Sequence, residues 1–153
     1  MSVQESAQQL DPQRASMPGV VRGMAALPAG QIVWMVIFSA LAFGLAALWP
    51  AYRVPGRTYF EQQVFTFTPA MAVCNLLFWF GAALAAGFIA MRIAKRPAAV
   101  WVLAVLLVGY LASMHLVLYW DRFPWWYNLG VVLPAVPAVR LGAVLAGARR
   151  RLH

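Results

Sequence analysis

Few side chains in this sequence can do chemistry, and most of them stand inside long apolar runs. His115 is followed by Tyr119 four residues on and by Arg122 seven residues on. On an α-helix that spacing puts all three on one face. The expected result is a short polar column suited to a lipid headgroup, a quinone or a proton. The plainer alternative is a histidine hydrogen-bonded within a helix bundle. Haem held by two histidines would need a second ring, and His153 belongs to the opposite end of the expected bundle, so no cofactor is expected.

Three further features stand out. Asn75 follows Thr68 by seven residues inside an apolar run. Asparagine hydrogen-bonds between helices in lipid, so Asn75 reads first as bundle glue, as do Ser39 and Ser113. Arg140 lies ~17 Å along a helix from Leu129, at 1.5 Å per residue. There it either snorkels to headgroups or bonds carbonyls freed by Pro134 and Pro137, because proline lacks the donor a helix needs. Finally, Trp120, Trp125, Trp126 and Tyr127 crowd one connection. They are expected to form an interfacial belt, or an aromatic pocket if two connections on that side fold together.

Several chemistries lack their residues. No Asp or Glu stands in any apolar run, which argues against carboxylate-driven ion exchange. There is no H-E-x-x-H, G-x-S-x-G, P-loop or dinucleotide motif. Cys74 is the sole cysteine, so neither a disulfide nor a C-x-x-C site is available. No catalytic or metal-binding residue is assigned. An enzyme acting on a lipid or quinone would need Glu61, Asp121 and His115 to converge, and their spacing does not ask for it.

The elements that must position these residues are helices in a membrane. Hydrophobic residues are 63% and charged residues 10%, a balance that leaves a soluble fold of 153 residues without a charged surface. Four apolar runs cover about 32–49, 69–91, 98–119 and 129–148. Each is long enough to cross a ~30 Å hydrocarbon core as a helix, and none alternates as a barrel strand would. An all-α integral membrane bundle of four helices is therefore expected, with sequence neighbours antiparallel. Residues 1–29, with Pro12, Pro18, Pro28 and scattered glycines, read as a flexible cytoplasmic tail, and 150–153 as a basic cytoplasmic end. The start carries Glu5 and Asp11 and does not read as a secretory signal. Asp121 reads as the cap of a brief interfacial helix with Pro124 in its first turn.

The net charge of +8 is an orientation signal under this reading. With both termini inside, eight basic residues lie on the cytoplasmic side and three outside, before Arg140 is placed. Nucleic acid is not an expected partner. Arg149, Arg150 and Arg151 are expected to meet anionic lipid. Lys95 is the single lysine among 12 basic residues, a bias of GC-rich bacterial genomes, so a bacterial inner membrane is the expected location. Small residues four apart (Ala40 and Gly44, Ala82 and Ala86, Ala83 and Gly87, Ala143 and Gly147) allow close helix contact. The leading expectation is a non-catalytic accessory subunit or scaffold of a membrane complex. The alternatives are a small transporter or carrier of an apolar ligand such as a lipid or quinone, and a membrane enzyme acting on one.

Overall fold

The computed structural model describes residues 19–49 and 68–148, and all the regular structure in them is helical. Helix α1 spans Gly19–Leu48, α2 Pro69–Ala94 and α3 Pro97–Ala112. A π-helical segment, Ser113–Leu118, continues α3, and a 3-10 turn comes next at Trp120–Arg122. Helices α4, Trp125–Val132, and α5, Ala135–Ala148, complete the described chain. Four helical stretches are long and apolar enough to cross a membrane: Gly19–Leu48, Pro69–Ala94, Pro97–Leu118 and Trp125–Gly147. The protein has the build of a multi-pass membrane protein, as the composition implies.

The first span corrects one expectation. Residues 19–29 are helix, not tail, and Pro28 lies within α1. Proline removes one donor and one bond to the preceding turn. Neighbouring helices make that loss tolerable in a membrane helix. Residues 1–18 lie outside the described residues.

Helix α2 begins as its sequence dictates. Thr68 Oγ accepts the Met71 amide at 3.3 Å, and Pro69 occupies the first turn, where its missing donor costs nothing. The helix ends on Lys95 at φ 56°, whose amide donates to the Met91 carbonyl at 3.0 Å. Arg96 is extended, as a residue before proline prefers, and Pro97 opens α3. Three residues thus reverse the chain at what we call the basic end.

Helix α2 is the hub, touching α1, α3, α4 and α5. Its packing on α5 uses the predicted small residues. Ala82, Ala83, Ala86 and Gly87 are buried. A Cβ on Gly87 would strike the Val139 backbone, and one on Gly142 would strike the Leu84 carbonyl. At Gly30 of α1, a Cβ would sit 2.6 Å from Leu103 Cδ2. Backbones approach closely here because nothing larger than hydrogen intervenes. The other predicted pairs are not both packed. Ala143 is buried but Gly147 has open space, and Ala40 and Gly44 face outward.

The fourth span is broken at Leu133–Pro134, between α4 and α5. Pro134 cannot donate to the Gly130 carbonyl one turn back. Gly130 in turn lets Leu76 approach, with its methyls 3.1 and 3.2 Å from where a Cβ would be.

Candidate functional site

The residues most able to do chemistry converge at the end opposite the basic turn. His115, on the π segment, is 5% exposed, and Asn128, on α4, is fully buried. His115 Nδ1 lies 3.2 Å from Asn128 Oδ1. Asn128 Nδ2 donates to the carbonyls of Trp120 at 3.2 Å and Phe123 at 3.3 Å. Those two carbonyls fix the amide orientation, since only its NH₂ can donate to them. Oδ1 is therefore the acceptor, and Nδ1 of His115 carries the proton. In the neutral ring the lone pair then sits on Nε2.

His115 faces inward because it continues the buried face of α3, four residues after Leu111, and the π segment redirects the residues that follow it. The Tyr119 amide donates to the Met114 carbonyl at 2.9 Å, five residues back, instead of to His115. One extra residue in the turn rotates the succeeding residues by about 100° relative to an α-helix. The expected column of His115, Tyr119 and Arg122 is consequently redrawn. The rings of His115 and Tyr119 meet edge-on at 6.2 Å, and the Arg122 guanidinium lies 5.7 Å from the Tyr119 ring. His115 faces the core while Arg122 is exposed, so the three grade from inside to outside.

Aromatic rings surround the pair. His115 contacts Trp79, Phe123 and Tyr127 with centroids 5.7–6.0 Å away. Trp79 continues the series to Phe38 at 4.2 Å and Trp34 at 4.9 Å, and Trp34 meets Tyr110 at 5.7 Å. The indole N–H groups of Trp34 and Trp79 are buried and make no hydrogen bond among the described residues. Asn75 Nδ2 donates to the Tyr127 hydroxyl at 3.2 Å, tying α2 to α4. Asn75 is thus the interhelical glue its type implied. Thr68, seven residues before it, caps α2 instead of sharing its bond.

Other expectations fare differently. Asp121 caps no helix: it lies exposed in the 3-10 turn, and Pro124 is the capping residue of α4. Proline there makes α4 start at Trp125, four residues before the expected edge of the span. Of the aromatic cluster, Tyr127 is buried, whereas Trp120, Trp125 and Trp126 are 43%, 66% and 37% exposed. Among the described residues these three form an outward rim. Arg140 is exposed, and its guanidinium lies 4.6 Å from the Trp101 ring centroid. It stacks on an aromatic face of α3, a contact that neither sequence expectation included. Ser113 Oγ donates to the Tyr110 carbonyl at 2.8 Å within its own helix.

Asn128 is the functional-type residue that sequence reasoning misses. A polar residue bordering an apolar run reads as part of the connection, because Leu129 looks like the first residue of the span. Trp34 and Trp79 escape notice because tryptophan in a span reads as lipid contact. Glu61, His153, the Arg149–Arg151 cluster and the loop that would complete an aromatic pocket lie outside the described residues. No group of three or more His, Cys, Asp or Glu that could hold a metal occurs among the described residues. Set against known protein families, curated proteins and solved structures, the chain matches none.

Proposed function

We propose that this chain is a non-catalytic membrane protein, an accessory subunit or scaffold that packs against another membrane component. The observation that carries the reading is how its polar groups are used. Asn128, Asn75 and Ser113 bond to main chain and side chains of their own bundle, and Thr68 caps its own helix. Meanwhile, among the described residues, the Ala40–Gly44 face of α1 stays open, with nothing within 4 Å of a Cβ at Gly44. Its setting in this reading is a bacterial inner membrane, with both termini cytoplasmic, which the distribution of arginine supports.

A second reading rests on His115. Asn128 holds its Nδ1, and Nε2 has no hydrogen-bond partner among the described residues. In a carrier of an apolar ligand such as a quinol or lipid alcohol, the ligand's hydroxyl would donate to that nitrogen. One experiment separates the two readings. The full chain and its His115→Leu variant are purified from the native host in mild detergent, and co-purifying proteins and small molecules are identified by mass spectrometry. A reproducible partner protein retained by both forms is expected. A lone protomer would overturn the first reading, and an apolar ligand lost only from the variant would establish the second.

A further inference from the structure

Helices α1 and α2 leave an open groove of about 510 Å³ between them, lined wholly by apolar side chains. Ile32, Val36 and Ile37 form one wall, and Leu84, Ala85 and Phe88 the other. The volume falls in the ~300–1,000 Å³ range of ligand sites. Apolar lining alone does not select an occupant, but the charge at one end does. Arg92 comes four residues after Phe88, so it lies one turn on along the groove face, with its guanidinium 6.0 Å from the Phe88 ring. Arg92 is exposed. On the other wall, Arg22 precedes Val33 by eleven residues, three turns back along the same face of α1.

The two helices are antiparallel. Gly30 meets Ala86, and Trp34 and Phe38 meet Trp79. Both arginines therefore lie toward the same end of the groove, the basic end, where Lys95 and Arg96 also stand. The single acid among the described residues, Asp121, lies at the other end. The groove is thus an apolar channel ending in positive charge that no acid among the described residues offsets, the complement of one acyl tail below one phosphate.

We propose that this groove binds an anionic phospholipid, one acyl chain lying between α1 and α2 and the phosphate resting on Arg92, with Arg22 beside it. Arginine suits the phosphate because its planar fork bonds two oxygens at once. The site is separate from the His115–Asn128 pair and from the basic residues 149–151, and it does not depend on the scaffold reading.

Native mass spectrometry of the full chain, released from nanodiscs of equal phosphatidylglycerol and phosphatidylcholine, tests it. The wild type should retain phosphatidylglycerol in preference to phosphatidylcholine. Arg92→Gln should lower that preference about fivefold, the effect of one basic residue near an anionic headgroup. Ala85→Trp, which fills the groove, should remove most of both adducts, whereas Val105→Trp on an outward face of α3 should change neither. Equal retention of the two lipids by the wild type, or an unchanged ratio in Arg92→Gln, overturns the proposal. So does a lipid-free dimer, which would give the groove to a second copy. Should Ala85→Trp fail to fold, Arg92→Gln decides alone, because its side chain is exposed.

Discussion

At the scale of single residues, Asn128 holds more of the structure than any other polar side chain described. It ties the π segment, the 3-10 turn and α4 together through His115 and two main-chain carbonyls. Replacing it by leucine removes the acceptor of the buried His115 Nδ1–H and a donor to each of two part-buried carbonyls. Each buried polar group left unmade costs about 1–3 kcal/mol. Asn75, by contrast, makes a side-chain bond across to Tyr127, and such bonds in membrane bundles average about 0.6 kcal/mol. Asn128→Leu should therefore destabilise the fold by roughly 2 kcal/mol or more, and Asn75→Leu by less than half that. Titration from mild detergent into dodecyl sulfate, monitored by circular dichroism, measures both. Equal losses would mean that Asn128 does not clamp the segment. Of these residues, His115 and Asn75 announce themselves in the sequence as polar groups in apolar runs. The partner of His115 does not, because a hydrogen bond between positions 115 and 128 depends on how the chain turns between them.

Among the helices, contact distance is set by residues without side chains to spare. Gly87 and Gly142 let α2 and α5 touch backbone to backbone. Gly44, in α1, and Gly109, in α3, have open space among the described residues. The same substitution should then have opposite signs at the two kinds of site. Alanine at Gly44 or Gly109 gains helix propensity of up to ~1 kcal/mol. Alanine at Gly87 or Gly142 forces the helices apart and forfeits packing around the new Cβ, a loss of about 1–3 kcal/mol. Thermal unfolding in detergent should rank Gly44→Ala at or above the wild type and Gly87→Ala clearly below it. Reversal of that order would mean that α2 and α5 are not in contact. The small-residue spacing is legible in the sequence, yet it is the same for pairs that pack and pairs that do not. Ala83–Gly87 faces α5 and Ala40–Gly44 faces outward, and only the arrangement of neighbours distinguishes them.

For the whole molecule, the bundle separates two chemistries by end: a basic turn at Lys95–Arg96 and an aromatic, hydrogen-bonded cluster around His115. In the proposed orientation, with both termini inside, the basic turn would be cytoplasmic and the cluster would lie toward the outer leaflet. Cysteine labelling tests that orientation. With Cys74 replaced by alanine, a cysteine at Asp121 should react with a membrane-impermeant maleimide in intact spheroplasts. Cysteines at Ser2 or Lys95 should react only after permeabilisation. The opposite pattern would invert the topology and move the His115 cluster to the cytoplasmic side.

Composition and the length of the apolar runs determine a good deal without any coordinates. Lipid offers no hydrogen bonds to an exposed backbone, so runs this long and apolar must be helices. Cap chemistry places their edges where it is local, as at Thr68–Pro69 and Lys95–Pro97. Pro28 and Pro124 are misread by the same local logic, since one is carried inside α1 and the other begins α4. Tertiary structure decides the rest. The π turn at Ser113–Leu118 rotates the residues that follow His115, Asn128 reaches back to hold the histidine, and Arg140 settles on Trp101. Each of these depends on groups brought together from different turns or helices, and no spacing along one chain specifies which groups those are.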